Sequence, residues 1–389
     1  MTRVIRSRWS VVAAYAMVGA ATQILWITYA PVTDDAAKHF GVSKTAIGWL
    51  AQVFPLVYVL LAIPAGLVLD RWFRGGLLLG AGLTAVGGVL RLVEDDFAWA
   101  LIGQLVVSLG QSFVLNAITG LTARFLAEED RPTGIAVGSA STFAGLVVGF
   151  LVGAALSGPS HVRLLGVVTA LVGVAAALVL ALVVRDSGNP DVPPSGEGFA
   201  AFRAAWSDRY LRRLCAVVAV PFGTFIALTT FAQPLLKPAG VSESTAGIIL
   251  VVNVVAGVAG CAVLPVWADR HRREVFVMAV GVSVTTAACL LLAAAPGVAT
   301  GFIALTLVGI ALLPALPIVL SLTEKRAGTA EGTAAGLIWM AGNLGGLVVA
   351  TAVGVLVDHP LPAFLTLAAV TLAALPLLRN FAAKAGDSA

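Results

Sequence analysis

Three side chains suited to ligand binding recur at three-residue spacing in an apolar stretch near the start of the chain: Gln23, Trp26 and Tyr29. On a helix, this spacing places them on one face. An aromatic ring attracts a cation through its π face, with about 2 kcal/mol available when the contact is desolvated. None of the three is ionisable at neutral pH. This surface therefore suits a quaternary ammonium group or another organic cation.

Other apolar stretches also contain polar and aromatic residues, which are costly in lipid. Gln104 and Gln111 are seven residues apart and share a helix face. Later stretches contain Phe225, Gln233, Asn253, Trp339 and Asn343. Two structural alternatives stay open. Trp26 and Tyr29 also suit an aromatic belt at a membrane interface, and a single Gln or Asn in a span often only joins neighbouring helices.

The apolar stretches contain no deep carboxylate, lysine or histidine, although proton-coupled transporters usually have an ionisable group there. The acids lie at the periphery instead. Asp34 and Asp35 follow the first stretch. They are candidates for a proton site or for an electrostatic funnel that concentrates cations. A solvated loop is the alternative for this pair.

An Asp-Arg loop occurs twice, within the segments Gly66 to Arg74 and Pro265 to Arg273. Its aspartates, Asp70 and Asp269, lie 199 positions apart. Duplicated halves of this kind are common in secondary transporters. These charges set the topology, and we expect a gating role as well, in which they pair with helix ends in one state only. The candidate gating residues are Asp70, Arg71, Arg74, Arg131, Asp269, Arg270, Glu324 and Glu331.

Composition predicts the elements that position these residues. Apolar residues make up 59% of the 389 residues and charged residues 11%, against about 25% charged in soluble proteins. A span needs roughly 20 apolar residues, which predicts an all-α membrane protein of two six-helix bundles. The predicted bundles are 1–185 and 209–389, joined by a linker at 186–208. The twelve predicted spans are 9–31, 45–69, 75–93, 97–123, 133–157, 163–184, 210–236, 243–267, 274–295, 299–322, 330–357 and 361–381.

Basic residues predict the orientation. Only five of the 24 lysines and arginines lie on the side opposite the N-terminus: Lys38, Lys44, Arg91, Arg163 and Lys237. The positive-inside rule therefore places both termini in the cytoplasm of a multi-pass protein of the inner membrane. The excess of basic residues is explained by topology, and no basic stripe suggests a nucleic-acid partner.

The sequence shows no pattern of catalytic or metal-binding residues. The three cysteines fall singly within predicted spans and the four histidines in loops, so neither type forms a cluster with metal-ligand spacing. No Ser-His or His-Cys-Asp constellation is legible. We therefore expect a protein that is not an enzyme and has no metal or cofactor.

The loop at Gly66, Asp70, Arg71 and Arg74 resembles the G-x-x-x-D-R-x-G-R motif of the major facilitator superfamily. Phe73 stands where that motif has glycine. The second copy keeps Asp269 and Arg270. Two copies in register imply the twelve-helix fold of that superfamily, which is common to transporters of many substrates.

A second resemblance covers most of the chain. Trp26-Ile27-Thr28-Tyr29, Gln111-Ser112-Phe113 and Glu331-Gly332-Thr333 are similar to segments of the feline leukaemia virus subgroup C receptor-related transporters. That family moves choline and ethanolamine, and members have been linked to haem. The resemblance implies cargo contacts at Trp26, Gln111 and Asn343. Asn343 stands where the family has glutamine, and Phe225 alone represents a pair of aromatic residues.

Together these features predict a secondary transporter that works by alternating access. A small organic cation, quaternary or choline-like, would occupy a central pocket. The candidate contacts are Trp26, Gln111, Asn343, Gln23, Tyr29, Phe225, Gln233 and Trp339. The expected partners are this small molecule and the lipid bilayer, with the protein a monomer. The alternatives are a proton-coupled multidrug exporter, a transporter of haem or another metabolite, and, from another class, a membrane receptor or sensor.

Overall fold

The structure is a computed structural model that describes residues 7–185, 199–327 and 331–378. Regular structure within these ranges is helical, which confirms the all-α prediction. The helices are α1 (Trp9–Trp26), α2 (Thr33–Phe40), α3 (Lys44–Arg71), α4 (Phe73–Leu90), α5 (Phe97–Asn116), α6 (Ile118–Phe125), α7 (Arg131–Ala155), α8 (Val162–Val183), α9 (Phe199–Ser207), α10 (Arg209–Leu236), α11 (Glu243–Arg270), α12 (Glu274–Ala294), α13 (Val298–Leu312), α14 (Ala315–Ala327), α15 (Glu331–Gly354) and α16 (Pro360–Leu372).

Twelve helical stretches of the described chain are long and apolar enough to cross a membrane, as the sequence predicts. Large apolar side chains lie on their outer surfaces. Leu60, Leu171 and Leu347 are each more than 60% exposed. Soluble monomers rarely expose contiguous apolar surface on this scale, so these side chains face lipid. The protein is a multi-pass membrane protein.

The chain forms two compact units. The first comprises Met1–Ala205 together with Thr323–Leu337. In this unit α1 packs against α7 and α8, and α5 packs against α3 and α4. The contact of α1 with α7 depends on Gly145, because a Cβ atom there would lie 2.4 Å from the carbonyl oxygen of Ala20. Small residues allow such backbone approach in membranes.

The second unit comprises Trp206–Leu322 and Ile338–Ala389. Here α13 packs against α11 and α12, and α16 packs against α10 and α12. Close approach again requires glycine, because a Cβ atom at Gly345 of α15 would lie 2.0 Å from the carbonyl oxygen of Ala219 in α10. Tight backbone packing therefore stabilises both units in the absence of a strong hydrophobic driving force between helices.

The duplication extends beyond the Asp-Arg loops. Helices α3 and α11 are both 28 residues long and both end at the arginine of an Asp-Arg pair. Each follows a Gly-Val-Ser sequence. Gly41 and Gly240 have φ angles of 66° and 78°, which favour glycine. The hydroxyls of Ser43 and Ser242 cap the two helices by accepting a backbone N–H bond at 3.2 Å. Helices α3 and α11 therefore share the same N-terminal cap and the same Asp-Arg end.

Candidate functional site

The indole of Trp26 is held in place at the end of α1. Its Nε1–H donates to the carbonyl oxygen of Ala51 at 2.8 Å. That carbonyl is available because Pro55, four residues further along α3, has no N–H to donate to it. The ring stacks on Phe54 with centroids 5.9 Å apart. Trp26 is half-buried, so it is a fixed aromatic surface that keeps some exposure.

Gln104 is fully buried and bonded at both ends of its amide group. Its Nε2 donates to the carbonyl oxygens of Leu50 at 3.1 Å and Trp26 at 3.3 Å. Its Oε1 lies 3.5 Å from Nη1 of Arg91. The Trp26 carbonyl belongs to the last turn of α1, where backbone acceptors need a partner outside the helix. Gln104 thus connects α1, α3 and the end of α4.

Gln111 lies two turns further along α5 and differs from Gln104. It is 3% exposed, and its Nε2 has no hydrogen-bond partner among the residues that the structure describes. Leaving such a donor unsatisfied costs about 1–3 kcal/mol. Gln23 is also buried, and its Nε2 contacts the hydroxyl of the neighbouring Thr22 at 3.3 Å. The Gln111 amide is therefore a donor that a ligand could satisfy.

Tyr29 lies apart from the Trp26–Phe54 pair, in a second apolar cluster with Leu50. Its ring meets Phe40 edge-on at 5.8 Å. Asp34 and Asp35 occupy the first turn of α2, where carboxylates are favourable. Asp34 is exposed, and Asp35 accepts a bond from the backbone N–H of Gly158 at 2.8 Å.

The second unit contains the other predicted contacts. Trp339 is buried and meets Phe222 edge-on at 6.0 Å. The side-chain nitrogen of Asn343 donates to the carbonyl of Trp339 at 2.9 Å, within α15. Phe225 lines, with Phe222, an apolar cavity of about 10 Å³, which is room for about one water. Gln233 is half-buried near the end of α10.

Asp70 caps the start of α15. It is 4% exposed, and its carboxylate accepts bonds from the backbone N–H groups of Gly332 at 2.5 Å and Thr333 at 3.0 Å, and from the Thr333 hydroxyl. The first N–H groups of a helix lack partners within it and favour a negative charge. Gly66 permits the approach, because a Cβ atom there would lie 2.7 Å from the Gly332 carbonyl oxygen.

The other charged residues of the first loop are arranged differently. Arg71 is exposed, while Nε of Arg74 donates to the carbonyl of Val184 at 3.1 Å. Phe73, in place of the motif glycine, begins α4 and lies under the guanidinium of Arg124 at 4.5 Å. A single residue, Trp72, separates α3 from α4, with φ −140°. Because this turn needs no left-handed residue, the loss of glycine is tolerated.

A buried ion pair lies in the same unit. Arg131 Nη1 lies 2.8 Å from Oε1 of Glu324, and the side chains are 23% and 5% exposed. Arg131 Nη2 also donates to the carbonyl of Ala123 at 3.3 Å. The Glu331 side chain lies outside the described part of the structure. In the second copy of the loop, Asp269 is half-buried and Arg270 exposed at the end of α11.

Arg91 is the residue that sequence reasoning missed. The sequence places it near the end of the predicted span 75–93 and among the basic residues on the side opposite the N-terminus. In the structure it is 3% exposed. Its guanidinium donates to the hydroxyls of Thr28 and Thr169, each at 3.1 Å. Arg91 is flanked by the apolar pairs Val89-Leu90 and Leu92-Val93. These pairs were a signal that the apolar stretch extends past Arg91 and that its side chain can be buried.

Comparison with known proteins identifies the family to which this architecture belongs. Residues 11–350 match the family model of the Major Facilitator Superfamily. The fold is that of the E. coli fucose:proton symporter, with a TM-score of 0.74 and 19% identity over 95% of this chain and 98% of that one. A bacterial homologue of the iron transporter ferroportin gives a TM-score of 0.77 at 14% identity, over 96% and 99% of the two chains. The chain belongs to the Major Facilitator Superfamily and is a transporter, not an enzyme.

Sequence comparison finds relatives within two groups of transporters. Solute carrier family 49 member A3 of Danio rerio is 26% identical over 363 residues, covering 88% of this chain and 77% of that protein. The human choline/ethanolamine transporter FLVCR2 is 25% identical over 299 residues, covering 69% of this chain and 56% of that protein. The chain therefore matches less than two thirds of the length of the human relative.

Proposed function

We propose that this protein carries a small organic cation, quaternary or choline-like, across the membrane as a secondary transporter with alternating access. The observation that carries the proposal is the indole of Trp26, which is fixed by its bond to Ala51 and its stacking on Phe54. In the same unit the Gln111 Nε2–H has no acceptor among the described residues and can bond an oxygen of the cargo. A quaternary ammonium group cannot donate hydrogen bonds, so an aromatic face is its natural partner. The choline/ethanolamine relative adds support from sequence likeness.

Each remaining residue has a role in this proposal. In the first unit, Gln23 and Tyr29 are expected cargo contacts besides Trp26 and Gln111. In the second unit, Phe225, Gln233, Trp339 and Asn343 are the expected cargo contacts. Asp34 and Asp35 concentrate cations outside the membrane.

The proposal also covers gating and placement. The cap of α15 by Asp70 and the Arg131–Glu324 pair form in one state and break in another, which is a known way to switch between conformations. The protein acts as a monomer in the cytoplasmic membrane. Both termini face the cytoplasm, because basic residues concentrate at that side.

Choline binding to the purified protein, followed by exchange of labelled choline in proteoliposomes, tests the function. Trp26→Ala should lose most binding, since it removes the aromatic face, and Trp26→Phe should keep part of it. Trp49→Ala is the matched control, because Trp49 is 54% exposed on α3, and it should bind like wild type. If choline, ethanolamine and tetramethylammonium all fail to bind, the organic-cation proposal is wrong.

The coupling test separates the main alternative. A single cation moved inward gains about 2.3 kcal/mol per 100 mV of potential, so an inside-negative potential should drive choline uptake without a pH difference. If an imposed pH gradient alone drives transport of a bulky cationic dye and the potential does nothing, the proton-coupled exporter is the better description.

A further inference from the structure

Arg91 has only neutral partners. Nη1 donates to the Thr28 hydroxyl at 3.1 Å and faces Gln104 Oε1 at 3.5 Å, and Nη2 donates to the Thr169 hydroxyl at 3.1 Å. Thr28 and Thr169 donate their own hydrogens to carbonyls four residues earlier in the chain, each at 2.9 Å. Both hydroxyls are therefore oriented to accept from the guanidinium, and they disperse its charge without neutralising it.

The positive charge of Arg91 is not paired with a carboxylate in the described part of the chain. Its Nε has no acceptor, and none of its contacts within the described ranges is with a carboxylate. The acids that follow it are engaged elsewhere: Asp95 pairs with His39 at 2.9 Å and Arg163 at 3.7 Å. Asp96 caps α5. Buried charges are ordinarily paired, because an unpaired one is costly, so this guanidinium is set to receive an anion.

The guanidinium lies close to the proposed cargo site. The carboxamide of Gln104 links the guanidinium to the backbone of Trp26. The Gln104 Oε1 faces Arg91, and the Gln104 Nε2 donates to the Trp26 carbonyl at 3.3 Å. Arg91 Cζ is 5.9 Å from the centroid of the Tyr29 ring. The charge of Arg91 would attract a negative group on a cargo whose ammonium group lies at the Trp26 face.

We propose that Arg91 binds a carboxylate of the cargo, and that the cargo class is therefore a zwitterion joining a quaternary ammonium group to a carboxylate. This inference rests on the proposed function and specifies its substrate. The ammonium group meets the Trp26 face, while the carboxylate takes the free Nε–H of Arg91 and an N–H of Nη2 on the same edge of the guanidinium, and Nη1 keeps its contacts to Thr28 and Gln104. Side-on binding of this kind suits the planar, charged fork of arginine.

The first test needs no variant. Choline and glycine betaine share a trimethylammonium group and differ in having a hydroxyl or a carboxylate at the other end, and γ-butyrobetaine has the carboxylate on a longer spacer. Affinities are measured by calorimetry on the purified wild-type protein. At least one betaine should bind ten times more tightly than choline. If choline binds and neither betaine binds more tightly, the zwitterion inference fails and the proposed function stands. If none of the three binds, both fail.

Variants then assign the preference to Arg91. Arg91→Gln keeps donors but loses the charge and should abolish the preference for betaine over choline, whereas Arg91→Lys should keep part of it. Thr169→Val is the control, since it removes a neutral acceptor without changing charge, and it should keep the preference. An unchanged preference in a folded Arg91→Gln protein would overturn the assignment. A salt exchange on the wild-type protein gives a second check. If replacing gluconate by chloride strengthens choline binding and leaves betaine binding unchanged, the anion at Arg91 is inorganic and the assignment is also overturned.

Discussion

Asp70 and Thr333 are 263 residues apart in the chain and are joined by two hydrogen bonds. One Oδ atom of Asp70 accepts from both the backbone N–H and the hydroxyl of Thr333, so a carboxylate at the end of α3 satisfies the first turn of α15. Charge-assisted bonds of this kind are about twice as strong as neutral ones. The aspartate of the first Asp-Arg loop thus has a defined structural role, which is to cap α15.

Removal of the Asp70 charge should weaken this cap. Asp70→Asn keeps an oxygen but loses the charge, and we expect a loss of about 1.5–3 kcal/mol, the range for hydrogen bonds to charged groups. Thr333→Val should cost less, because the backbone N–H bonds remain. Thermal unfolding in detergent measures both effects, and transport rates in proteoliposomes test the gating role. Equal losses in the two variants would contradict a cap that depends on charge.

Gly66 should be required for the cap to form. Gly66→Ala places a Cβ atom 2.7 Å from the Gly332 carbonyl oxygen and the Thr333 Cα atom, which are backbone atoms that can yield only if α15 moves. Gly48→Ala is a matched control in the same helix, because nothing lies within 4 Å of its added Cβ atom. We expect Gly66→Ala to lower the melting temperature and the transport rate, and Gly48→Ala to leave both close to wild type. A wild-type phenotype for Gly66→Ala would refute the close approach.

The Arg131–Glu324 pair should show strong coupling. Arg131→Met leaves a carboxylate that is 5% exposed without its partner, which typically costs about 3–5 kcal/mol. The double substitution Arg131→Met with Glu324→Met should cost much less than the sum of the two single changes, since no charge is left buried. A double-mutant cycle on thermal stability measures the coupling. Additive effects would mean that the two side chains do not depend on each other.

The two glutamines of α5 should separate binding from stability. Gln104→Ala removes bonds to two backbone carbonyls and should lower the melting temperature. Gln111→Ala removes a donor with no partner, so stability should change little while choline binding weakens. Calorimetry and thermal unfolding on the same preparations give both quantities. If the two variants lose binding and stability in the same proportion, the division of roles is wrong.

Cysteine labelling tests the orientation. The native Cys215, Cys261 and Cys289 are buried, so a background without them should fold if small residues replace them. Single cysteines at the exposed positions Arg71 and Lys38 lie at opposite ends of predicted spans. In intact cells, an impermeant thiol reagent should label position 38 and spare position 71. The reverse pattern would place both termini outside the cytoplasm.

The sequence alone determined the class of fold and its internal duplication. The length of an apolar stretch is a local property, and a repeated Asp-Arg pair is legible without any contact. The twelve spans were therefore predictable. The sequence also identified Asp70 as a gating candidate, because it belongs to the repeated Asp-Arg loop and lies where it could pair with a helix end.

Only the tertiary structure decided which polar groups are satisfied. Gln104 and Gln111 look alike in sequence, yet packing of α1 and α3 against one end of α5 gives the first its partners and leaves the Gln111 donor unpaired. Packing likewise buries Arg91 among neutral groups from α5, α8 and the turn that follows α1. A hydrogen bond depends on ångström-scale distances between residues far apart in the chain, and these distances are set by helix packing, which residue spacing does not specify.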